Sequence, residues 1–416
     1  MDLILATIRS ISYAIINPAL AVLLLIIALL FYIRNRKIDF IQTMVLGERL
    51  NSPLELTISQ VVIGIIAGTI ASLMLTLIGV TFYEDSGVEI LFLISIIVIL
   101  YKPKIFSFPY VGAILGALSI VISYTGMGQV IQIKVDIPNI IILVGVISII
   151  EGVLIIIDGR KGYIPVFTNR KGEILGGFIF KRCWSLPIAF FIIFNSVSGL
   201  GLNNISLSNI YLLMIEKDLI SITTAAVFAI IPFYSIIGYE DVTFTKNKIR
   251  KTIGSGVVMI IYGTILFFIS LLGRYRIDLE ILSIILMPSI YVIIRYIEKY
   301  IEKKSKPLFV SDEEGICILD VVPKSVAFKE GVRSGDKIIG LNGLKPFNEV
   351  QILKSITNKY INTTLRIKNI KGEIKDYVIS SESKSVRFGI ILVPINIRKR
   401  YNIDKIIGIS QLRKNV

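Results

Sequence analysis

Apolar residues run along this chain in blocks of about twenty, and then the pattern changes. Nine such blocks lie near 13–33, 57–80, 88–101, 109–127, 138–157, 185–202, 219–238, 254–273 and 277–297. A helix needs about 20 residues to cross the hydrocarbon core of a bilayer. The blocks therefore predict a polytopic α-helical membrane bundle of eight or nine spans over residues 1–300, because the third block is short and Asn195 and Ser196 interrupt the sixth. After Pro307 the long blocks give way to short β-branched runs separated by turn residues, which predicts a small α+β domain over 307–396 followed by a basic tail, 397–416. A hydrophobic content of 54% supports the membrane class, since average domains are only about half apolar with glycine counted.

Charge then orients the bundle. Arg34, Arg36, Lys37, Arg49, Lys102, Lys104, the 160–182 loop, Lys246–Lys251 and the junction from Arg295 to Lys306 place about 21 basic residues on one side. Arg9, Lys134, Lys217, Arg274 and Arg276 lie on the other. By the positive-inside rule the rich side is cytoplasmic, so the C-terminal domain faces the cytoplasm and, with nine spans, the N-terminus lies outside. The net charge of +15 is thereby read as topogenic and nucleic-acid binding is not expected. The cluster Ile297–Lys306 is also suited to anionic lipid headgroups. The first block is long and lacks a small-residue cleavage pattern, so no cleaved signal peptide is expected. Cys183 and Cys317 have no metal-like spacing.

Within the spans, Gly64 and Gly68 in GIIAG and Gly112 and Gly116 in GAILG put small residues on one helix face, for packing inside the bundle or between copies in a homo-oligomer. Glu151 is an acid well inside an apolar run, suited to an interhelical hydrogen bond or to ion coupling. Pro187, Pro232 and Pro288 read as helix-start or kink positions.

In the C-terminal region, GICILDVVP reads as a strand, Ser325 as the N-cap of a short helix over VAFKE, Gly331 as its left-handed terminator, and KIIGLNG as a strand closed by the Asn342-Gly343 turn. A second helix is expected at 348–359, with Val350, Leu353 and Ile356 on one apolar face, and two strands near TLRIKNI and IKDYVIS. This order, and above all GVRSGDKIIGLNG, resembles PDZ domains over residues 307–396. The resemblance implies capture of an extended peptide or protein C-terminus beside the second helix, with a Φ-Gly-Φ turn receiving the carboxylate. The segment before Gly315 has no such turn, whereas RFGIIL offers Phe388, Gly389 and Ile390. The expectation is a circularly permuted PDZ with Arg387, Phe388, Gly389, Ile390, Ile391, Val350 and Leu353 at the peptide; the plainer reading of FGIIL is a last core strand.

The chain has no histidine. Zinc proteases with HExxH, and serine proteases with a histidine base, are therefore excluded, and no P-loop or GxGxxG is present. A non-enzyme without metal or cofactor is expected. A non-catalytic membrane protein with a cytoplasmic PDZ resembles the MinJ group, the division-site topology factors of Gram-positive rod-shaped bacteria. That resemblance implies a cell-membrane scaffold at septa and poles, bridging DivIVA-like and MinD-like partners. The alternatives are a transporter or channel with a regulatory PDZ tail, and a substrate adaptor for a separate membrane protease.

Overall fold

A computed structural model describes residues 2–47, 49–101, 108–125, 135–170, 172–195, 220–222, 226–274, 276–346, 349–357, 363–379 and 388–395. Helices α1 (Asp2–Ile16), α2 (Pro18–Leu46) and α3 (Pro53–Ile78) open the chain. Strand β1 (Thr81–Tyr83), α4 (Val88–Tyr101), α5 (Phe108–Thr125) and α6 (Ile137–Asp158) follow. Helix boundaries are set locally. Asn17 and Ser52 cap α2 and α3 through their side-chain oxygens, with Pro18 and Pro53 in the first turn where a missing N–H is harmless. Gly47 and Gly79 end the same helices at φ 73° and 79°, in the left-handed region.

Strands β2 (Ile164–Arg170), β3 (Glu173–Asn195), β4 (Ile220–Ile222) and β5 (Ala226–Thr243) precede α7 (Lys248–Gly273) and α8 (Ile277–Lys304). Among the described residues, five helices are long and apolar enough to cross a membrane: Pro18–Val45, Pro53–Ile78, Ile137–Asp158, Lys248–Gly273 and Asp278–Lys304. Two shorter apolar helices, Val88–Ile97 and Phe108–Ile122, accompany them.

The blocks at 185–202 and 219–238 are not helices where they are described. They belong to β3 and β5, which pair antiparallel from Phe178↔Thr243 to Asn195↔Ala226. The runs are rich in Ile, Phe and other strand-favouring residues, and an apolar block without periodicity fits either state. Strand β3 covers the same depth as α3. The carbonyl of Leu56 accepts from Arg182 Nη1, Gly64 packs on Ser185, Gly68 on Pro187, and Ser72 Oγ accepts the N–H of Ala189 at 2.8 Å. Sixteen residues of helix and seven of strand both rise about 23–24 Å.

Apolar surroundings cannot leave strand edges unpaired; here β1 and β2 pair along parts of β3, β4 pairs along part of β5, and helices cover the stretches between them. On the β3 side the seal is α3, whose Gly64 and Gly68 sit so close that a Cβ would lie 2.2 and 2.3 Å from the carbonyl oxygens of Ser185 and Pro187. GIIAG therefore receives a strand rather than a second helix. On the β5 side, Ser10 Oγ donates to Ile230 O at 3.0 Å and Ser95 Oγ accepts from Ile236 N at 3.3 Å. Pro187 and Pro232 have the same parity as these edge-directed residues, so neither interrupts the ladder; they are edge residues, not helix kinks. Pro288 does lie inside helix α8.

Helices α6 and α7 meet backbone to backbone: a Cβ at Gly152 would stand 2.5 Å from Gly256 O, and one at Gly263 2.4 Å from Gly145 O. Gly112 and Gly116 pack against Val144, Met287 and Ile284, inside the bundle. At the end of α6, the carboxylate of Asp158 accepts from Arg182 Nε (2.9 Å) and Nη2 (2.5 Å), Trp184 Nε1 (2.9 Å) and Ser59 Oγ (3.1 Å), and pairs with Lys161 at 3.0 Å. Arg182, counted from sequence among the loop cations, is thus a buried cross-brace between hairpin and helices.

The C-terminal region has β6 (Phe309–Val310), β7 (Ile316–Val321), α9 (Val326–Lys329), β8 (Lys337–Leu341), α10 (Glu349–Thr357), β9 (Thr363–Lys368), β10 (Ile374–Ile379) and β11 (Ile390–Leu392). Five of its strands form one sheet in the order β10-β9-β8-β7-β11. Its core gathers Ile316, Ile318, Val332, Ile338, Ile352, Leu365 and Phe388.

Candidate functional site

The small domain is built on short-range turn chemistry. Ser325 Oγ accepts from Phe328 N at 3.3 Å and so starts α9, and Gly331 at φ 90° follows its end. Asp336 Oδ2 accepts from Arg333 N at 2.8 Å, closing the SGD turn. Asn342 and Gly343 take φ 50° and 80°, the pair of left-handed residues a two-residue hairpin turn requires, and Leu341 and Leu344 exchange hydrogen bonds of 2.7 and 3.0 Å across it.

The last described strand, β11, pairs antiparallel with β7. Gly389 O accepts from Val322 N (2.8 Å), and Val393 N donates to Cys317 O (2.9 Å). Residues 389, 391 and 393 therefore turn their main-chain groups toward β7, and by strand alternation Ile390 and Leu392 turn theirs toward the outer edge of the sheet. Gly389 has φ 74°, and a Cβ on it would meet Ser325 Cβ at 2.4 Å, so glycine is required by conformation and by contact. Phe388 is buried in the domain core, and its carbonyl accepts from Ala327 N at 3.1 Å.

Helix α10 departs from its sequence reading. Its inward residues are Ile352 and Ile356, while Val350 and Leu353 are 48% and 42% exposed and stand clear of the core. Position 348 and positions 358–359 of the expected helix, and Arg387, lie outside the described residues. Ile391 is also placed differently from a groove residue. It packs with Val393, Cys317, Leu319 and Phe309 in the apolar cluster shared with the bundle.

That cluster docks the domain on the hairpin. Strand β6 pairs with β3 at Leu175↔Val310 and Gly176↔Phe309, and the Phe309 and Phe178 rings meet edge to face at 5.3 Å. Gly176 leaves room for this, since a Cβ there would lie 2.8 Å from Leu319 Cδ1 and 2.9 Å from Val393 Cγ2. The polar part of the dock was not legible as a site from sequence. Lys248 Nζ, at the start of α7, pairs with the buried carboxylate of Asp320 on β7 at 2.7 Å and sits 3.8 Å over the Tyr163 ring. The signal was a lone acid in the apolar strand ICILDV. Asp320 stands opposite Ile391 in the ladder, so the outermost strand is one pairing step from an ion pair to the bundle. Burial, aided by the Asp320 charge, pushes the Tyr163 phenol well above its ordinary value.

Cys317 reports on this interface, because burial pushes its thiol up to about 12 and keeps it protonated. In a Cys183→Ser background, maleimide labelling of Cys317 is expected to be slow in the intact protein. Asp320→Ala is expected to speed it about tenfold, which corresponds to about 1.4 kcal/mol of docking free energy. An unchanged rate would show that the ion pair does not hold the dock.

Glu151 lies half-buried on α6, within electrostatic reach of Arg295. Arg295 pairs with Glu298 at 2.8 Å, and Asp241 pairs with Lys251 at 2.7 Å. Among the described residues no group of three or more His, Cys, Asp or Glu side chains is placed to hold a metal ion. Comparison of the chain with protein-family models, with curated proteins and with solved structures returns no match.

Proposed function

We propose that the chain is a multi-pass, non-catalytic scaffold of the cell membrane that receives an extended peptide or protein C-terminus, in the manner of a circularly permuted PDZ domain, along the outer edge of β11. The observation that carries this reading is the strand order: β11, from the end of the sequence, lies beside β7, with the Phe388-Gly389-Ile390 turn at its start. The main-chain groups of Ile390 and Leu392 would supply the ladder, and Val350 and Leu353 the apolar wall for alternate peptide side chains. The absence of histidine, with no recognisable motif for another catalytic machinery, supports a binding role over a protease.

The docked arrangement favours a platform over a tethered module, because a peptide held on β11 is presented at a fixed position against the bundle. By resemblance to the MinJ group, its cellular role is division-site selection, with DivIVA-like and MinD-like partners at septa and poles. A transporter with a regulatory tail is the second reading, favoured by buried Lys251 and the part-buried charges of Asp241 and Arg295.

The α10 face gives the cleaner test, since a side chain at Gly389 would also strike the cap of α9. The double variant Val350→Asp, Leu353→Glu, at exposed positions, is expected to fold and insert normally. It should lose at least about tenfold in affinity for peptides selected on the full-length protein in detergent. Undiminished binding would sink the groove assignment. A fluorescent fusion spread evenly over the membrane, with normal division after depletion, would remove the septal role and leave the binding role standing.

A further inference from the structure

Helix α2 is longer than a bilayer needs. Its 29 residues rise about 43 Å, against a hydrocarbon core about 30 Å thick. Through the overhang and the turn before it, from Arg34 onward, polar residues are buried and apolar ones exposed, with Ile38 the buried exception. Asn35, Asp39 and Gln42 are buried: Asn35 donates to Thr57 Oγ1 (2.9 Å) and Gln60 Oε1 (2.7 Å), and Gln42 donates to Tyr163 O (2.6 Å). Facing away from the protein are Phe40 and Met44, 64% and 72% exposed, in line with exposed Arg36 and beside Lys37. Residues four apart share one helix face, so Arg36, Phe40 and Met44 form a single stripe.

Water would favour the opposite arrangement, and a hydrocarbon interior would exclude Arg36 and Lys37. A layer that takes both apolar rings and cations is the headgroup zone, where basic side chains meet lipid phosphates and apolar ones reach the acyl boundary. The far end of α8 repeats the arrangement. Beyond Arg295, Tyr296 and Tyr300 stack on each other in exposed positions, with Lys304 over the Tyr300 ring. Both overhangs belong to helices that are themselves long and apolar enough to cross a membrane, which makes the stripes continuous with that surface.

We propose that the overhang of α2, through Arg36, Lys37, Phe40 and Met44, is a binding surface for anionic phospholipid headgroups of the leaflet on the C-terminal domain's side. The proposal rests on the chain crossing a membrane and is independent of the peptide groove.

The test uses the full chain, carrying Phe40→Trp, in nanodiscs of phosphatidylcholine with increasing phosphatidylglycerol. Brominated lipids and aqueous iodide serve as quenchers, and the parent protein supplies the Trp184 background. The introduced indole is expected to be quenched by brominated lipid, increasingly so as anionic lipid is added. Arg36→Gln with Lys37→Gln should raise the anionic fraction needed for half the effect about threefold. Quenching by iodide alone would overturn the proposal. Shielding from both quenchers would overturn it in favour of a protein partner or second copy on this face, and quenching indifferent to anionic lipid would overturn the headgroup specificity.

Discussion

Asp158→Ala is expected to destabilise the bundle by about 3–5 kcal/mol, because it leaves the Arg182 guanidinium buried without its counter-charge. The loss is large because one carboxylate serves the whole cross-brace. It accepts both Arg182 donors that face it, the Trp184 indole and Ser59, and it joins the end of α6 to β3. Trp184 is the chain's single tryptophan and is fully buried, so its emission reads the site directly. A red shift and a lower unfolding midpoint in detergent are the expected results. Adding Arg182→Met should recover part of the stability by removing the stranded charge. Native emission and midpoint in Asp158→Ala would show that the brace carries no stability.

Gly64→Leu is the second large effect. The new Cβ alone would lie 2.2 Å from Ser185 O, and the obstacle is backbone, so no rotamer change relieves it. Overpacking ordinarily costs about 1–3 kcal/mol, and a clash between two main chains at a sealed strand edge belongs at or above the top of that range. Separation of α3 from β3 would also leave the Ala189 N–H without Ser72. Gly254→Leu, on α7, provides the control, because a Cβ there meets nothing within 4 Å. The expected outcome is failure of Gly64→Leu to give a monodisperse folded protein in detergent while Gly254→Leu purifies like the parent. Equal behaviour of the two would mean that the α3–β3 seam yields easily.

What the sequence made legible here is what a few neighbouring residues decide. The Asn342-Gly343 turn, the Ser325 cap, the Gly331 terminator and the strand from Ile316 all follow from local conformational preference, and the structure has them. The hairpin was not. An apolar run satisfies both a lipid-facing helix and a strand wrapped in helices, and only its distant neighbours choose between them. Gly145, Gly152, Gly256 and Gly263 escaped notice because their contacts repeat every seven residues, not every four.

The candidate site divides the same way. Gly389 could be singled out from its neighbours in FGIIL. The dock through Lys248 and Asp320 joins residues 72 apart, and the inward face of α10 depends on which side the sheet lies. By sequence, Val350 and Leu353 are peptide-facing residues on one apolar face with Ile356; the structure leaves the first two exposed and buries Ile356.

The hairpin also constrains how the protein can be made. A helix satisfies its own main chain and can enter lipid alone, one segment at a time. Strands β3 and β5 cannot, because their inner main-chain groups look to each other and their outer ones to β1, β2, β4 and β6 and to side chains such as Ser72, Ser95 and Ser10. An order of assembly is expected from this: α1, α3 and α4 form a shell before the strands settle into it, and β5, whose middle follows that of β3 by about fifty residues, closes the unit. Until β5 is made, the inner main-chain groups of β3 lack the partners they have in the finished structure.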